Sequence, residues 1–191
     1  MNRSVTFSFR IRPFLAVALL LSSTCFAQEN LVKNGDFAEG DLLPDSWKFS
    51  EGEQKLWDAD QALEKVSFEA QGGVDNGRCL LIKPNPKSVT ADQAELTQPL
   101  EPGTYKLSAQ IRSEGLTDGA PRLAVVNVPF DTWNGYIDIK PGTDNDGANG
   151  WTMIETTFTQ EEQQKGFRVN FLSRGANGKI WLDDIKLEKV D

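Results

Sequence analysis

The chain reads as all-β, an antiparallel β-sandwich, on three observations. Short segments alternate apolar with polar residues at the period of two that puts one strand face in a core and the other in water. The 16 glycines and eight of the nine prolines fall after residue 27, where they punctuate those segments as turns. Only Asp58–Leu63 reads as helix, and then for a turn or so.

In chain order the strand candidates are Asn30–Lys33, Ser46–Phe49, Lys65–Ala70, Arg78–Ile82, Ala94–Thr97, Gly103–Arg112, Arg122–Val128, Trp151–Phe158, Phe167–Phe171 and Lys179–Leu187. They are spaced as the strands of a sandwich are spaced. Lys65–Ala70, Gly103–Arg112 and Trp151–Phe158 alternate, so each has one wet face. Arg78–Ile82 and Arg122–Val128 are more continuously apolar and suit central strands. Pro102-Gly103 is a turn signal, after which Tyr105, Leu107, Ala109 and Ile111 share one face. Glu161–Lys165 reads as a polar turn. Trp47 and Trp151 open strands just after loops and are expected in the core, where large aromatics mostly go. By the period-two rule Trp181 shares a face with Asp183, Ile185 and Leu187, so it too is expected inside.

The chain has 191 residues and a formal charge of −8. Residues 1–27 have the grammar of a secretory signal peptide: Arg3, Arg10 and Arg12 without an acid, an apolar run Phe14–Leu21, then small residues up to Cys25-Phe26-Ala27. That run is too short to cross a membrane, which takes about 20 apolar residues. Cys25 raises a lipid anchor, but Ser23-Thr24 ahead of it matches a lipoprotein signal poorly. A secreted domain spanning 28–191 is expected, with no linker or repeat to divide it. A chain of that size buries roughly 70% of its unfolded surface and needs no staple. Removal of the leader leaves Cys79 without a disulfide partner, placed in an apolar stretch and read as buried. Losing three arginines makes the remainder more acidic still, which disfavours nucleic acid and anionic membrane surfaces. No histidine occurs anywhere, which excludes Ser-His-Asp and Cys-His catalysis and histidine-ligated zinc.

Four pieces stand in a telling order. They are Asn30-Leu-Val-Lys-Asn-Gly-Asp-Phe37 with Leu43-Pro-Asp-Ser-Trp47, then Leu100–Arg112, then Gly150-Trp151, then Lys179-Ile-Trp-Leu-Asp-Asp-Ile-Lys-Leu187. Together they resemble carbohydrate-binding modules of the galactose-binding-like jelly-roll superfamily, above all the cellulose- and xylan-binding families four, nine and twenty-two. The resemblance covers nearly all of 28–191. It implies a jelly roll, a noncovalent polysaccharide ligand and a structural calcium bridging the two ends of the chain. The family's acid after the Phe of the first motif is Ala38 here, so the implied calcium side chains are Asp183, Asp36 and Glu39.

A sugar site wants exposed rings for C–H stacking beside amides and carboxylates. Pro129–Tyr136 is the best such stretch, a Gly-containing loop carrying Phe130, Asp131, Trp133, Asn134 and Tyr136. Trp57 is a second stacking candidate, and Asn127 and Gln110 are further hydrogen-bond candidates. Thr143–Gly150 loosely imitates an EF-hand loop from Asp144, but Asn149 stands where the turn needs Gly and Glu155 lies in an expected strand, so it reads as a turn-rich loop. Asp183-Asp184 make a poor glycosidase pair, because neighbours on a strand point to opposite faces. The expectation is a secreted, non-catalytic module that binds a polysaccharide. The alternatives are a cell-surface protein-interaction module of the same fold and a small glycan-cleaving enzyme.

Overall fold

Two antiparallel sheets face one another in the computed structural model, which describes residues 29–51, 55–83, 89–93, 99–128, 132–140 and 150–191. The elements run β1 (Trp47–Glu51), β2 (Lys55–Leu56), α1 (Ala59–Leu63), β3 (Val66–Glu69), β4 (Cys79–Ile82), β5 (Val89–Gln93), β6 (Gly103–Thr117), β7 (Arg122–Val128), β8 (Thr132–Asp138), β9 (Thr152–Gln160), β10 (Gly166–Leu172) and β11 (Asn177–Lys189). One sheet has six strands in the order β2-β1-β5-β10-β7-β8; the other has five, β3-β4-β11-β6-β9. Non-consecutive neighbours mean that the chain crosses repeatedly between the layers, as a jelly roll does. The expected fold class is thus observed.

The core lies where the inner faces meet. β6 contributes Tyr105, Leu107, Ala109 and Ile111, the face that alternation assigned to it. Opposite them stand Phe167, Val169 and Phe171 of β10 and Leu123 and Val125 of β7. Phe158 of β9 stacks on Tyr105 with ring centroids 5.7 Å apart and reaches across to β8, where it packs on Gly135. That contact closes one side of the sandwich. The helix is one turn long, set by a capping box in which Asp58 accepts from Gln61 N–H and Gln61 reaches back to Asp58 N–H.

Several expectations need correction. Asn30–Lys33 forms no strand: the Asn30 side chain accepts from both Val32 N–H and Leu187 N–H at 3.0 Å and so takes over a ladder bond that backbone would make. Leu31 N–H adds a single backbone bond to β11 at 2.8 Å. Ala94–Thr97 and residues 143–149 of the EF-hand-like stretch lie outside the described residues, as do the leader and Cys25. β5 is a strand that the reading missed, and β8 replaces the loop expected over Thr132–Tyr136.

Tryptophan burial is right in degree and wrong in place. Trp47 lies in the main core at 7% exposure. Trp151 and Trp181 are buried too, but with Cys79 and Leu81 in a second cluster on the outer face of the five-stranded sheet. Period two fails for Trp181 because β11 bulges: Asp183 pairs Gln110 and Lys186 pairs Ser108, three residues against two, with Asp184 at φ 50°. Beyond the bulge Ile185 and Leu187 face the core, while Trp181 and Asp183 face out.

Gly135 admits a sharp test of the closing contact. An added Cβ would stand 2.3 Å from Phe158 Cδ1 and 2.8 Å from Cγ, a ring already stacked and unable to swing clear. Gly135→Ala should destabilise the protein by about 1–3 kcal/mol, read as a lower urea midpoint at unchanged slope. An unshifted midpoint would contradict the packing.

Candidate functional site

The outer face of the six-stranded sheet is built in rows by the strand registers. One row runs Trp133–Val126–Arg168 and a second Tyr136–Ala124–Asn170–Asp92–Lys48. A third runs Asp138–Arg122–Leu172–Thr90–Ser50–Leu56 and so crosses six strands, about 24 Å at the usual strand spacing. In the middle Ala124, Val126 and Thr90 are covered by their neighbours, at 0%, 2% and 2% exposure. The edges are high, with Trp133 and Tyr136 exposed on β8 and Leu56 on β2. The surface between these edges dips as a trough, with Lys48, Asp92 and Arg168 in its walls. Near its β2 side lies a depression of about 260 Å³ lined by Lys48, Leu56, Asp92, Gln93, Val128 and Arg168.

Trp133 and Tyr136 are three apart and would point to opposite faces of a regular strand. A register shift brings them together: Val125 pairs Gly135 and Val126 pairs Trp133, leaving Asn134 as the extra residue. The rings meet edge to face, centroids 6.0 Å apart and planes at 72°. The Arg122 guanidinium lies 3.9 Å from the Tyr136 centroid and 4.4 Å from that of Trp133. Asp138 holds Arg122 through two bonds, from Nε at 2.6 Å and Nη2 at 2.9 Å. The rings are therefore clamped from one side by a fixed cation and open on the other, Trp133 at 37% and Tyr136 at 49% exposure. In the trough Asn170 donates to Asp92 at 2.6 Å, and Arg168 stands 3.5 Å from the same carboxylate.

The residues named from sequence separate under this geometry. Trp133 and Tyr136 come together, on a strand rather than a loop. Asn134 turns inward instead: it exchanges hydrogen bonds with Asn127, at 2.8 and 2.6 Å, and donates to Gln160. Trp57 is partly buried against the main core beyond β2, the opposite edge of the sheet. Gln110 sits on the other sheet, paired with Asp183 and Met153. Phe130 and Asp131 lie outside the described residues. The reading missed Arg122, Asp138, Arg168, Asn170 and Asp92. Their types carry no signal singly; only the cross-strand register makes a site of them.

Asp183, Asp36 and Glu39 do not make a calcium site as placed. Asp183 accepts Val74 N–H at 2.9 Å through Oδ2 and Asp184 N–H at 2.7 Å through Oδ1, and burial pushes its carboxyl upward. Asp36 shares with it a cavity of about 410 Å³ that Glu39 does not line. Two cations line it instead: Arg78 donates to the Gly40 carbonyl at 2.6 Å, and Lys186 to Asp184 at 2.8 Å. No three of the described acids, cysteines or histidines group as metal ligands. Calcium wants six to eight oxygens, and of the three acids Asp183 already has both oxygens on N–H donors while Glu39 stands away from the cavity. Cys79 is no reactive centre: burial first, then the Asp183 charge, push its thiol up to about 12.

The sequence matches no protein-family profile. It matches no curated protein. Among solved structures the chain is similar to TmCBM61 in complex with beta-1,4-galactotriose, at 14% identity over 85% of this chain and 99% of that one, with a TM-score of 0.51. It is similar to the CBM22-1 xylan-binding domain of Paenibacillus barcinonensis Xyn10C, at 14% identity over 86% and 97%, with a TM-score of 0.54. It also resembles part of the bacteriophage CBA120 tailspike protein 4 enzymatically active domain, at 9% identity over 84% of this chain but 21% of that one, with a TM-score of 0.57. Such identities speak for fold alone. The chain has the jelly-roll β-sandwich of carbohydrate-binding modules.

The Arg122 hydrogen bonds hold the Asp138 carboxyl below its ordinary value. A depressed acid lends stability above the unfolded pKa and loses it as pH falls through the folded one. The gap in urea midpoint between wild type and Asp138→Asn should be constant near neutrality and close below about pH 4. A gap that ignores pH would mean the ion pair is idle. For the metal, the expected melting temperature is the same with calcium and with chelator, whereas a rise with calcium would show a bound ion.

Proposed function

We propose that this is a secreted, non-catalytic carbohydrate-binding protein that holds a polysaccharide chain in the trough of the six-stranded sheet. One observation carries the reading: Trp133 and Tyr136 stand clamped and open on the face that also carries Asn170, Asp92 and Arg168. Pyranose rings present C–H faces that suit such indole and phenol planes, and a ring that is already immobilised loses little entropy on binding. Asn170, Asp92, Arg168 and Lys48 follow across the sheet and suit the hydroxyls of further sugar units. The neighbours solved with galactotriose or named for xylan binding share the fold, which supports a glycan without naming this one.

The non-catalytic part rests on chemistry. A glycosidase needs two carboxylates facing one sugar linkage. Asp183 is buried under backbone donors and Asp184 is tied to Lys186. Asp138 and Asp92 are engaged with Arg122 and Asn170. Secretion follows from the leader grammar of residues 1–27. Among the described residues no helix is long and apolar enough to cross a membrane.

A second reading has one observation behind it. Trp, Tyr and Arg packed together, as in Trp133, Tyr136 and Arg122, are also the usual anchors of protein interfaces. Affinity electrophoresis against soluble galactans, xylans and β-glucans separates the two. At least one glycan should retard the wild type, and Trp133→Ala should weaken that binding roughly thirtyfold, the effect of losing about 2 kcal/mol. No retardation on any glycan would transfer the face to a protein partner. Release of reducing ends from the same panel would overturn the non-catalytic assignment.

A further inference from the structure

We infer a second ligand site on the opposite layer, where Arg112 on the outer face of the five-stranded sheet takes a carboxylate, that of a uronic acid unit in an acidic polysaccharide. The comparison that points to it is internal to the molecule. Arg122 is held against two aromatic rings, and its planar fork is filled by the Asp138 carboxylate. Arg112 is held in the same manner: its guanidinium carbon lies 4.3 Å from the Trp181 ring centroid and 5.2 Å from that of Trp151, one ring from each neighbouring chain segment. Both indoles are buried, at 7% and 5% exposure, so the clamp is rigid. Yet among the described residues nothing accepts a hydrogen bond from Arg112. Where Arg122 meets Asp138, Arg112 opens on a depression of about 390 Å³ lined by Ser113, Glu114, Gly150 and Trp181.

A second observation concerns the same depression. The indole Nε1–H of Trp181 is buried without a partner among the described residues. A buried donor left unmade is costly, and the Trp181 ring that carries it lines the depression. The acid on the rim is already matched, because Glu114 pairs with Lys179 at 3.2 Å, and Lys179 stands 5.8 Å from the Trp181 ring. Among the described residues the rim therefore carries Arg112 as a cation with no acid hydrogen-bonded to it. An aromatic-clamped guanidinium with its edge unpaired matches a carboxylate better than a point cation would, since the fork offers two parallel N–H bonds. That the carboxylate belongs to a sugar rests on the carbohydrate reading above; that the site takes a carboxylate does not.

The test uses ¹⁵N-labelled wild-type protein and follows the indole N–H signals of its five tryptophans during titration with trigalacturonic acid or with its methyl ester. The free acid should move the Trp151 and Trp181 signals, and the ester should move them at least about tenfold more weakly, having lost the charge-assisted pair. Arg112→Lys keeps a cation between the rings but loses the fork, so it should weaken the acid about tenfold as read at the Trp151 and Trp181 signals. The wild-type mapping stands even if a variant folds poorly. Shifts confined to Trp133, equal binding of acid and ester, full affinity in Arg112→Lys, or no shift at millimolar acid would each overturn this site. None of those results would disturb binding of neutral glycans in the trough, which Trp133→Ala reports separately.

Discussion

In a sheet the face on which a side chain emerges is a matter of parity, and both faces of interest here are set by one extra residue. The bulge at Asn134 puts Trp133 and Tyr136 side by side over Val126 and Ala124. The bulge at Asp184 lets β11 send Ile180 and Leu182 inward, Trp181 and Asp183 outward, and then Ile185 and Leu187 inward again. Without the first there is no aromatic pair, and without the second the far end of β11 would turn isoleucine and leucine to water. Bulges cost a ladder bond and are kept where they aim something.

Arginine clamped by aromatic rings recurs on the two outer faces. Arg122 has the Trp133–Tyr136 pair and Arg112 the Trp151–Trp181 pair. The physical logic is common to both. A guanidinium is weakly hydrated across its flat faces, so indole and phenol rings cover it at little cost, and its in-plane donors remain to be spoken for. One cation has a protein carboxylate in that plane. The other faces a depression.

Much of the architecture was legible before any coordinates. Alternation in Gly103–Arg112 identified the buried face of β6 residue by residue, because its pairing with β9 is regular along the stretch and the bulge opposite Ser108–Gln110 lies on β11, which leaves the phase of β6 unshifted. Arg122–Val128 was bounded without error, since a run of apolar residues between turn signals admits little else. Trp133 and Tyr136 were picked out correctly as exposed, but for a loop. Their stretch is broken by Gly135 and Asn134, which read as turn residues in one dimension. In three dimensions Gly135 makes room for the Phe158 ring and Asn134 is the bulge that bonds Asn127 and Gln160.

From the chain alone one reads the class of fold, the strands that alternate cleanly, the buried Cys79, the absence of histidine chemistry and the exposure of at least one aromatic pair. These are local quantities, decided by period, turn chemistry and composition within a few residues. Which residues share a face across strands was decided only by tertiary structure. Arg122 and Asp138 are 16 residues apart, Asp92 and Asn170 are 78 apart, and Arg112 meets Trp181 through pairing of β6 with β11. Register depends on how the whole sandwich closes, and a single bulged residue reverses every side chain beyond it, so no local pattern could have assembled either face.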